Sequence, residues 1–520
     1  MSTIVQNPVL RGFMPDASIA LVNGSFLVAH SSFEWVPMIP LHRSTNLVDW
    51  EYAGSIPTAF VDLLGVPNSC GVWAPSLSYD GDSVWIVFSV LLTNDGGEKD
   101  IRTWVSRSAD EGRTWDLPTR VPSTGFDPAL FHEDGRTWLL NMRWDSRPQK
   151  PSFGGITVQE LDRSSLLPLS EPTTVLDTGK LIEGPGLQRR DGWLWLSVAE
   201  GGTGWEHGIT TFRSKDILGP YEQDPRGSFL TTRTAPEHWA QKAGHGEILT
   251  LPDGEFVLHH LGSRVLRRGY ERYGIPGREM FLENIVLDEE GWPRLLSGTT
   301  LPARDFNLPK ALPASVPIAE DDGLRGETPG WPWSTLRQPA DRKWADLLVR
   351  PGWLRLRGRD SLHSHYTQSM VARRIREFPT TLTVRLDAAP SAATQYGGLV
   401  VWYDTTTYVA LLLTADDSGS PRLVVRSRDD GGMPADLDLI ALMDAPRLQL
   451  RARIDEVAVR FDWRSDNDPW RQIGTPVDVT RFSDDYRGRL RFTGPMVGMT
   501  AVDTVAASWT ADFGEIEFID

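Results

Sequence analysis

The sequence predicts an all-β protein in which a five-bladed β-propeller is followed by a C-terminal β-sandwich of lectin-like type. Five segments with the same internal order recur between residues 16 and 254, and this repeated unit shows no helical period. After residue 340, short strands with alternating apolar and polar residues return, broken by Asp-Gly and Ser-Gly turns. The predicted domains are the propeller at 1–307, a Pro-rich linker at 308–340 and the sandwich at 341–520.

The repeated unit is a strand, a tight turn and a second strand. The first strands and their turns are DASIALVNG (16–24), WAPSLSYDG (73–81), DPALFHEDG (127–135), EGPGLQRRDG (183–192) and HGEILTLPDG (245–254). Each segment closes with Asn-Gly or Asp-Gly, which readily adopt the positive φ angles of hairpin turns. An Arg-Ser pair recurs 27 to 36 residues after the first four starts. Starts that lie 54 to 62 residues apart match the size of a four-stranded propeller blade.

The starting residues of the five units are expected to meet at one end of the propeller axis. They are Asp16, Trp73, Asp127, Glu183 and His245. Clustered carboxylates repel each other and raise each other's pKa, so a purely structural repeat would fill these positions with apolar residues. Two facing carboxyl groups suit glycoside cleavage, because one protonates the leaving oxygen while the other activates water or attacks the anomeric carbon. The tryptophan offers its flat face to a sugar ring.

Other interpretations of these residues remain open at this stage. Each acid, taken alone, could be a turn or cap residue, and carboxylates with a histidine can bind a divalent ion. A sialidase-like hydrolase is suggested by the box Ser108–Trp115, although sialidases repeat that box on more blades. A non-catalytic glycan-binding propeller is the third alternative. In such a protein, Glu183→Gln would leave binding nearly unchanged.

Composition excludes several classes of protein. The chain has 520 residues and a formal charge of −16, which argues against nucleic acid as a partner. Its one cysteine, Cys70, excludes a disulfide framework and a cysteine-based metal cluster. No stretch approaches the about 18 apolar residues of a membrane span, and the start MSTIVQNPVL shows no signal peptide, so a cytoplasmic location is expected. We expect two thirds or more of the 21 tryptophans to lie in the core.

Eight motifs occur in order along the predicted propeller. They are NPVLRGFMPDAS, SSFEWVP, GVWAPSLS, GFDPALFHEDG, LIEGPGL, AEGGTGWEHGIT, AGHGEIL and GREM. With these motifs the chain resembles the family 43 glycoside hydrolases, which are five-bladed propellers that invert at the anomeric carbon. More narrowly, it is similar to their two-domain β-xylosidase and α-L-arabinofuranosidase branch.

The resemblance assigns roles to the three acids. It implies that Asp16 is the general base, that Glu183 is the general acid, and that Asp127 orients Glu183 and tunes its pKa. Two departures lie beside the first subsite and bear on sugar specificity rather than on the chemistry. The family commonly has Pro where this chain has Ala17, and a Pro-Gly pair is more usual within the segment EWVPMIP.

The resemblance also implies which residues bind substrate. Arg278 would contact sugar hydroxyls or the base carboxylate, and His245 would line the axis beneath the subsite. Phe33 and Trp73 would form an apolar wall against the terminal sugar. The plainer interpretations are a strand-end ion pair for Arg278 and core packing for Phe33. His207 is expected to be structural.

The function implied is an inverting exo-glycosidase that releases terminal β-D-xylosyl or α-L-arabinofuranosyl residues from oligosaccharides, as in xylan degradation. In this branch the sandwich can lend a loop that closes the active-site pocket, and an independent carbohydrate-binding module is the alternative. No cofactor is required by the motifs, although the axis leaves room for a divalent ion near His245. A homo-oligomer is left open.

Overall fold

Five antiparallel sheets form a ring of blades over residues 18–295 of the computed structural model, which describes residues 4–93, 97–316, 318–442, 447–466 and 468–520. From the axis outward, the first blade contains Ser18–Val22, Ser25–Ala29, Pro40–Ser44 and Glu51–Ser55. The second contains Gly71–Tyr79, Val84–Leu91, Ile101–Ser108 and Thr119–Val121, and the third Gly125–Glu133, Arg136–Trp144, Phe153–Leu161 and Thr173–Leu176. The fourth contains Ile182–Arg190, Trp193–Glu200, Gly208–Ser214 and Glu222–Gln223, with Leu230–Thr231 beside its third strand. The fifth contains Ala240–Thr250, Phe256–Arg264, Glu279–Leu287 and Pro293–Leu295.

The innermost strands touch each other in ring order, and the fifth touches the first. The N-terminal strand Ile4–Gln6 pairs with Asp305–Asn307, which follows the fifth blade. The side chain of Asn7 accepts from the backbone N–H of Leu282 at 2.9 Å and donates to its carbonyl at 2.8 Å. The two ends of the propeller are therefore tied to the same blade. A separate hairpin, Leu266–Arg268 and Glu271–Tyr273, projects from the fifth blade.

A residue with positive φ lies within or just before each innermost strand. These residues are Asp16, Ala74, Asp127, Gly184 and His245, with φ between 28° and 55°. In blades two to five the strand pairing shifts register at this point, which is the signature of a β-bulge. In a regular strand, successive side chains point to opposite faces of the blade. A bulge interrupts this alternation, so neighbouring side chains can both point toward the axis.

The bulges refine the alignment of the repeats. Trp73 and Glu183 each precede the bulge residue by one position, whereas the other three starting residues occupy it. The aligned sequence suggested that the five starting residues are equivalent. In the structure, Trp73 and Glu183 are offset by one position from the other three. Blades two and four place a small residue, Ala74 or Gly184, on the bulge itself. At Gly184 a side chain is excluded, because its Cβ would lie 2.6 Å from the ring of His245.

Two antiparallel sheets form the C-terminal sandwich. The eight-stranded sheet runs in the order Ala435–Ala441, Pro421–Arg428, Thr407–Ala415, Gln395–Asp404, Met496–Asp503, Ser369–Arg374, Ser334–Leu336 and Trp35–Val36. The seven-stranded sheet runs in the order Ala345–Asp346, Trp353–Arg357, Thr510–Ile519, Thr380–Asp387, Leu448–Ile454, Ala458–Ser465 and Arg471–Asp478. Their facing apolar side chains make one core. Two short 3₁₀ helices, Val479–Phe482 and Tyr486–Gly488, precede the last two strands.

The sandwich and the propeller share a sheet. Ser334–Leu336 lies within the predicted linker, yet it is a strand of the eight-stranded sheet, and Trp35–Val36 of the propeller pairs with it. The linker is thus partly built into the sandwich, and the domain limits at 307 and 341 stay a prediction. No helix among the described residues is long and apolar enough to cross a membrane.

The tryptophans are less buried than expected. Nine of the 21 are buried, and the other twelve are half-buried. Several of these lie under a cation, such as Trp193 under Lys215 at 3.5 Å and Trp353 under Arg350 at 3.7 Å. A half-buried tryptophan of this kind covers the core with one face and binds a cation with the other.

Candidate active site

All seven residues predicted for the site line one cavity at an end of the propeller axis. They are Asp16, Phe33, Trp73, Asp127, Glu183, His245 and Arg278. The residues that complete the lining are Ala74, Phe126, Thr203, His207 and Phe492. Every blade contributes to it, because the five innermost strands begin around the same axis.

Asp16 is surrounded by donors. Its Oδ2 accepts from the hydroxyl of Ser31 at 2.7 Å, and its Oδ1 lies 3.2 Å from Nδ1 of His245 and 3.4 Å from Nη1 of Arg278. Burial disfavours the charge, but Arg278, His245 and Ser31 together hold the pKa of Asp16 well below its usual range. Burial also opposes the charge on His245, yet the bond to Asp16 and the nearby acids raise its pKa to about 9. Asp16 is therefore a carboxylate held between two cations.

Arg278 is fixed by three partners in the cavity wall. Besides Asp16, its Nη1 donates to the hydroxyl of Thr203 at 2.8 Å, and its Nη2 donates to the backbone carbonyl of Phe492 at 2.8 Å. The guanidinium is buried, with 4% of its side chain exposed. It thus connects the first blade, the fourth blade and the sandwich at a single point.

Glu183 and Asp127 have the opposite electrostatic character from Asp16. Burial, followed by the charge of Asp127, raises the pKa of Glu183 to about 8. Burial likewise raises the pKa of Asp127, although the charge of His245 opposes this. The pair shares a small volume in which only one negative charge is readily accommodated, so a proton stays on it near neutral pH. Glu183 can therefore donate a proton while Asp16 is ionised.

Four aromatic rings form one wall of the cavity. Phe33 and Phe492 are stacked with their centroids 6.2 Å apart, and Trp73 meets Phe492 edge-on at 5.2 Å. Phe126 meets Trp73 edge-on at 5.5 Å on the other side. Phe33 is only 2% exposed, so it packs in the core and also lines the cavity. Rings of this kind offer an apolar face to a pyranose or furanose.

His207 is a wall residue that stays neutral. Burial lowers its pKa to about 3, and its Nδ1 bonds the backbone carbonyl of Lys242 at 3.0 Å. The ring also fills the space beside Gly244, where a Cβ would lie 2.4 Å from it. These contacts agree with the structural role expected from the sequence.

Four lining residues were not predicted from the sequence, and Ala74, which follows Trp73 directly, is one of them. Phe126 precedes Asp127 directly, so its place beside a bulge residue was the available signal. Thr203 lies in the motif AEGGTGWEHGIT, which was noted for His207 alone. Phe492 comes from the sandwich, and no local pattern around it indicates a sugar site.

The acidic and imidazole side chains of the cavity raise the question of a metal ion. Within those ranges, no three His, Cys, Asp or Glu side chains form a group that could hold one. A divalent ion near His245 stays a prediction.

Comparisons with known proteins find relatives of both parts of the chain. Residues 5–293 match the profile of glycosyl hydrolases family 43, and residues 322–519 match that of the β-xylosidase C-terminal concanavalin A-like domain. The chain is 34% identical to a xylan 1,3-β-xylosidase of a Vibrio species over all of both chains. It is 30% identical to a non-reducing end α-L-arabinofuranosidase of Bacteroides ovatus over 79% of this chain and 75% of the relative. The crystal structure of a xylan β-1,4-xylosidase from Bacillus halodurans superposes with a TM-score of 0.95 at 35% identity, over 99% of this chain and 100% of that one.

Proposed function

The chain belongs to glycosyl hydrolase family 43, and we propose that it is an inverting exo-glycosidase acting on terminal β-D-xylosyl or α-L-arabinofuranosyl residues of oligosaccharides. The observation that carries the proposal is the pair of buried carboxyl groups whose surroundings drive their pKa values apart. Asp16 is held ionised by two cations, while Glu183 is held protonated by burial and a neighbouring acid. Such a division supplies a base and an acid in one cavity at the same pH.

The proposed reaction is a single displacement. Asp16 accepts a proton from a water molecule, whose oxygen attacks the anomeric carbon of the terminal sugar. Glu183 gives its proton to the glycosidic oxygen as the bond between that oxygen and the anomeric carbon breaks. The products are a free sugar of inverted configuration and a shortened oligosaccharide. Asp127 keeps the proton on Glu183 through its own charge.

Arg278 and His245 set the state of the base. Their positive charges keep Asp16 ionised over a wide pH range, and their hydrogen-bonding positions fix the direction of its free lone pairs. The same charges weaken Asp16 as a base. This arrangement therefore favours a water molecule that is already positioned by the sugar and needs only partial deprotonation in the transition state.

Exo action is proposed from the way the cavity is closed. Phe492 of the sandwich lies on the cavity wall and is held by Arg278, so the sandwich narrows the end of the propeller axis. A cavity bounded in this way admits the end of a chain more readily than its middle. The relatives' names include a β-1,3-xylosidase, a β-1,4-xylosidase and an α-L-arabinofuranosidase, so we propose the sugar class without choosing a linkage.

The test compares two substrates. Hydrolysis of an aryl β-D-xylopyranoside and of an aryl α-L-arabinofuranoside is measured, with the Asp16→Ala protein as the blank. Turnover of either substrate that is lost in the blank supports the proposal, and silence on both refutes it. Proton NMR of the first-formed anomer then tests inversion, because β-xyloside hydrolysis should first give α-xylose. The cytoplasmic location and the homo-oligomer stay predictions.

A further inference from the structure

The aromatic wall of the cavity is assembled from separate parts of the chain. Phe33 and Trp73 belong to the propeller, whereas Phe492 belongs to the sandwich. Stacking alone leaves such rings free to slide, because ring contacts are weakly directional compared with hydrogen bonds. Directional hydrogen bonds are therefore needed to set the distance between the propeller rings and the sandwich ring.

Ser69 forms hydrogen bonds with Phe492, with Trp73 and with Glu34, the neighbour of Phe33 in the chain. Its hydroxyl oxygen accepts from the backbone N–H of Phe492 at 3.2 Å, and its backbone carbonyl accepts from the indole N–H of Trp73 at 3.0 Å. Its backbone N–H donates to the carboxylate of Glu34, the residue after Phe33, at 3.2 Å. Ser69 is itself 7% exposed and lies outside the cavity lining.

The segment that contains Ser69 is hydrogen-bonded to the sandwich. The N–H of Gly65 donates to the carbonyl of His365 at 2.7 Å, and Nε of Arg337 donates to the carbonyl of Val66 at 2.7 Å. Asn68 donates to the hydroxyl of Thr405 at 2.7 Å. The segment 65–70 is thus a part of the propeller whose position follows the sandwich.

The carboxyl group of Glu34, which accepts from the backbone N–H of Ser69, is also buried. It is 1% exposed and lies beside Arg337. Burial raises its pKa to about 7, with Arg337 opposing the shift. The catalytic steps proposed above make no use of Glu34.

We propose that Ser69 is a positioning residue that sets the width of the sugar subsite by tying Phe492 of the sandwich to Trp73 and to the Phe33–Glu34 turn of the propeller. This inference rests on the proposed function, since it concerns the same subsite. Ser69 touches no reacting atom. It acts on terminal-sugar binding through the two rings that it holds.

Glycine is the informative replacement. Ser69 has a φ of 62°, a conformation that glycine adopts without strain. Ser69→Gly therefore removes the hydroxyl acceptor of Phe492 and keeps both backbone bonds. Ala507→Gly is the matched control, because Ala507 has a φ of 48° in an exposed turn of the sandwich outside the cavity lining.

The experiment measures binding and turnover separately. The Kd of D-xylose and of L-arabinose is measured by calorimetry, and kcat and KM are measured on the aryl glycoside that the wild type hydrolyses. Loss of the single acceptor should weaken monosaccharide binding and raise KM by about 3–10-fold, with kcat changed less than twofold. In a Phe492→Ala background the same substitution should have no further effect, because Ser69 acts through that ring.

The outcomes separate this inference from the proposed function. A wild type that hydrolyses neither glycoside refutes the proposed function. A wild type that hydrolyses one of them, together with a Ser69→Gly protein of unchanged Kd and KM, overturns the role of Ser69 alone. A decrease in kcat as large as the increase in KM, together with a Tm lower than that of Ala507→Gly, would also overturn it. Such a result would mark Ser69 as a structural residue.

Discussion

Replacing Glu183 with glutamine should separate substrates by the quality of their leaving group. Glutamine keeps the shape and the neutral state that burial imposes on Glu183, so the cavity should stay intact. What is lost is the transferable proton. General acid catalysis contributes about 10²–10⁴-fold, which corresponds to about 3–5 kcal/mol of the activation barrier.

This loss should appear in full on xylobiose, because the departing sugar alkoxide requires a proton. On a 2,4-dinitrophenyl glycoside the loss should be less than tenfold, since dinitrophenolate leaves without protonation. The assay is kcat/KM for both substrates between pH 5 and pH 9. The wild type should lose activity on xylobiose as the pH rises through the pKa of Glu183, which is raised to about 8, and the variant should lack this basic limb.

Glu283→Gln is the matched control. Glu283 is also a buried glutamate with a raised pKa, it accepts from the N–H of Ala303 at 2.9 Å, and it lies outside the cavity lining. Its replacement should leave the ratio of the two rates unchanged. Equal losses on both substrates in Glu183→Gln would refute the assignment of Glu183 as the proton donor.

Three further predictions follow from the same cavity. Asp16→Ala should reduce turnover at least about 10³-fold on both kinds of glycoside, because Asp16 is the carboxylate that Arg278 and His245 hold ionised; a variant that keeps most of its activity on either kind would contradict this role. Burial of Glu183 opposes its charge, so folded Glu183 binds its proton more tightly than unfolded Glu183, and stability falls as the pH rises from about 4.5 toward about 8. Thermal unfolding should therefore show that Glu183→Gln is more stable than the wild type at pH 8 and similar to it at pH 4, and a constant difference across this window would count against the buried neutral acid. Dialysis against EDTA should leave kcat unchanged, because Arg278 and His245 already supply the positive charge beside Asp16; activity lost on dialysis and restored by Ca²⁺ would place an ion near His245.

The sequence by itself was sufficient to predict the architecture and seven of the residues that line the cavity. Asn-Gly and Asp-Gly turns are local signals, and their repetition predicts the blades without any knowledge of long-range contacts. Once five blades are inferred, closure of the ring forces the starting residues of the innermost strands together. The convergence of Asp16, Asp127 and Glu183 follows from that symmetry.

Other features depend on contacts that no local pattern encodes. The bulge that places Trp73 and Glu183 one residue before the positive-φ position depends on how each strand pairs with its neighbour. Phe492 and Ser69 lie 423 residues apart and meet only because the sandwich folds against the propeller. The sequence therefore determined which groups meet around the axis, because that depends on residue type and repeat position. The tertiary structure decided the shape of the sugar subsite and the pKa values of its acids, because both depend on burial and on distances between segments that are remote in the chain.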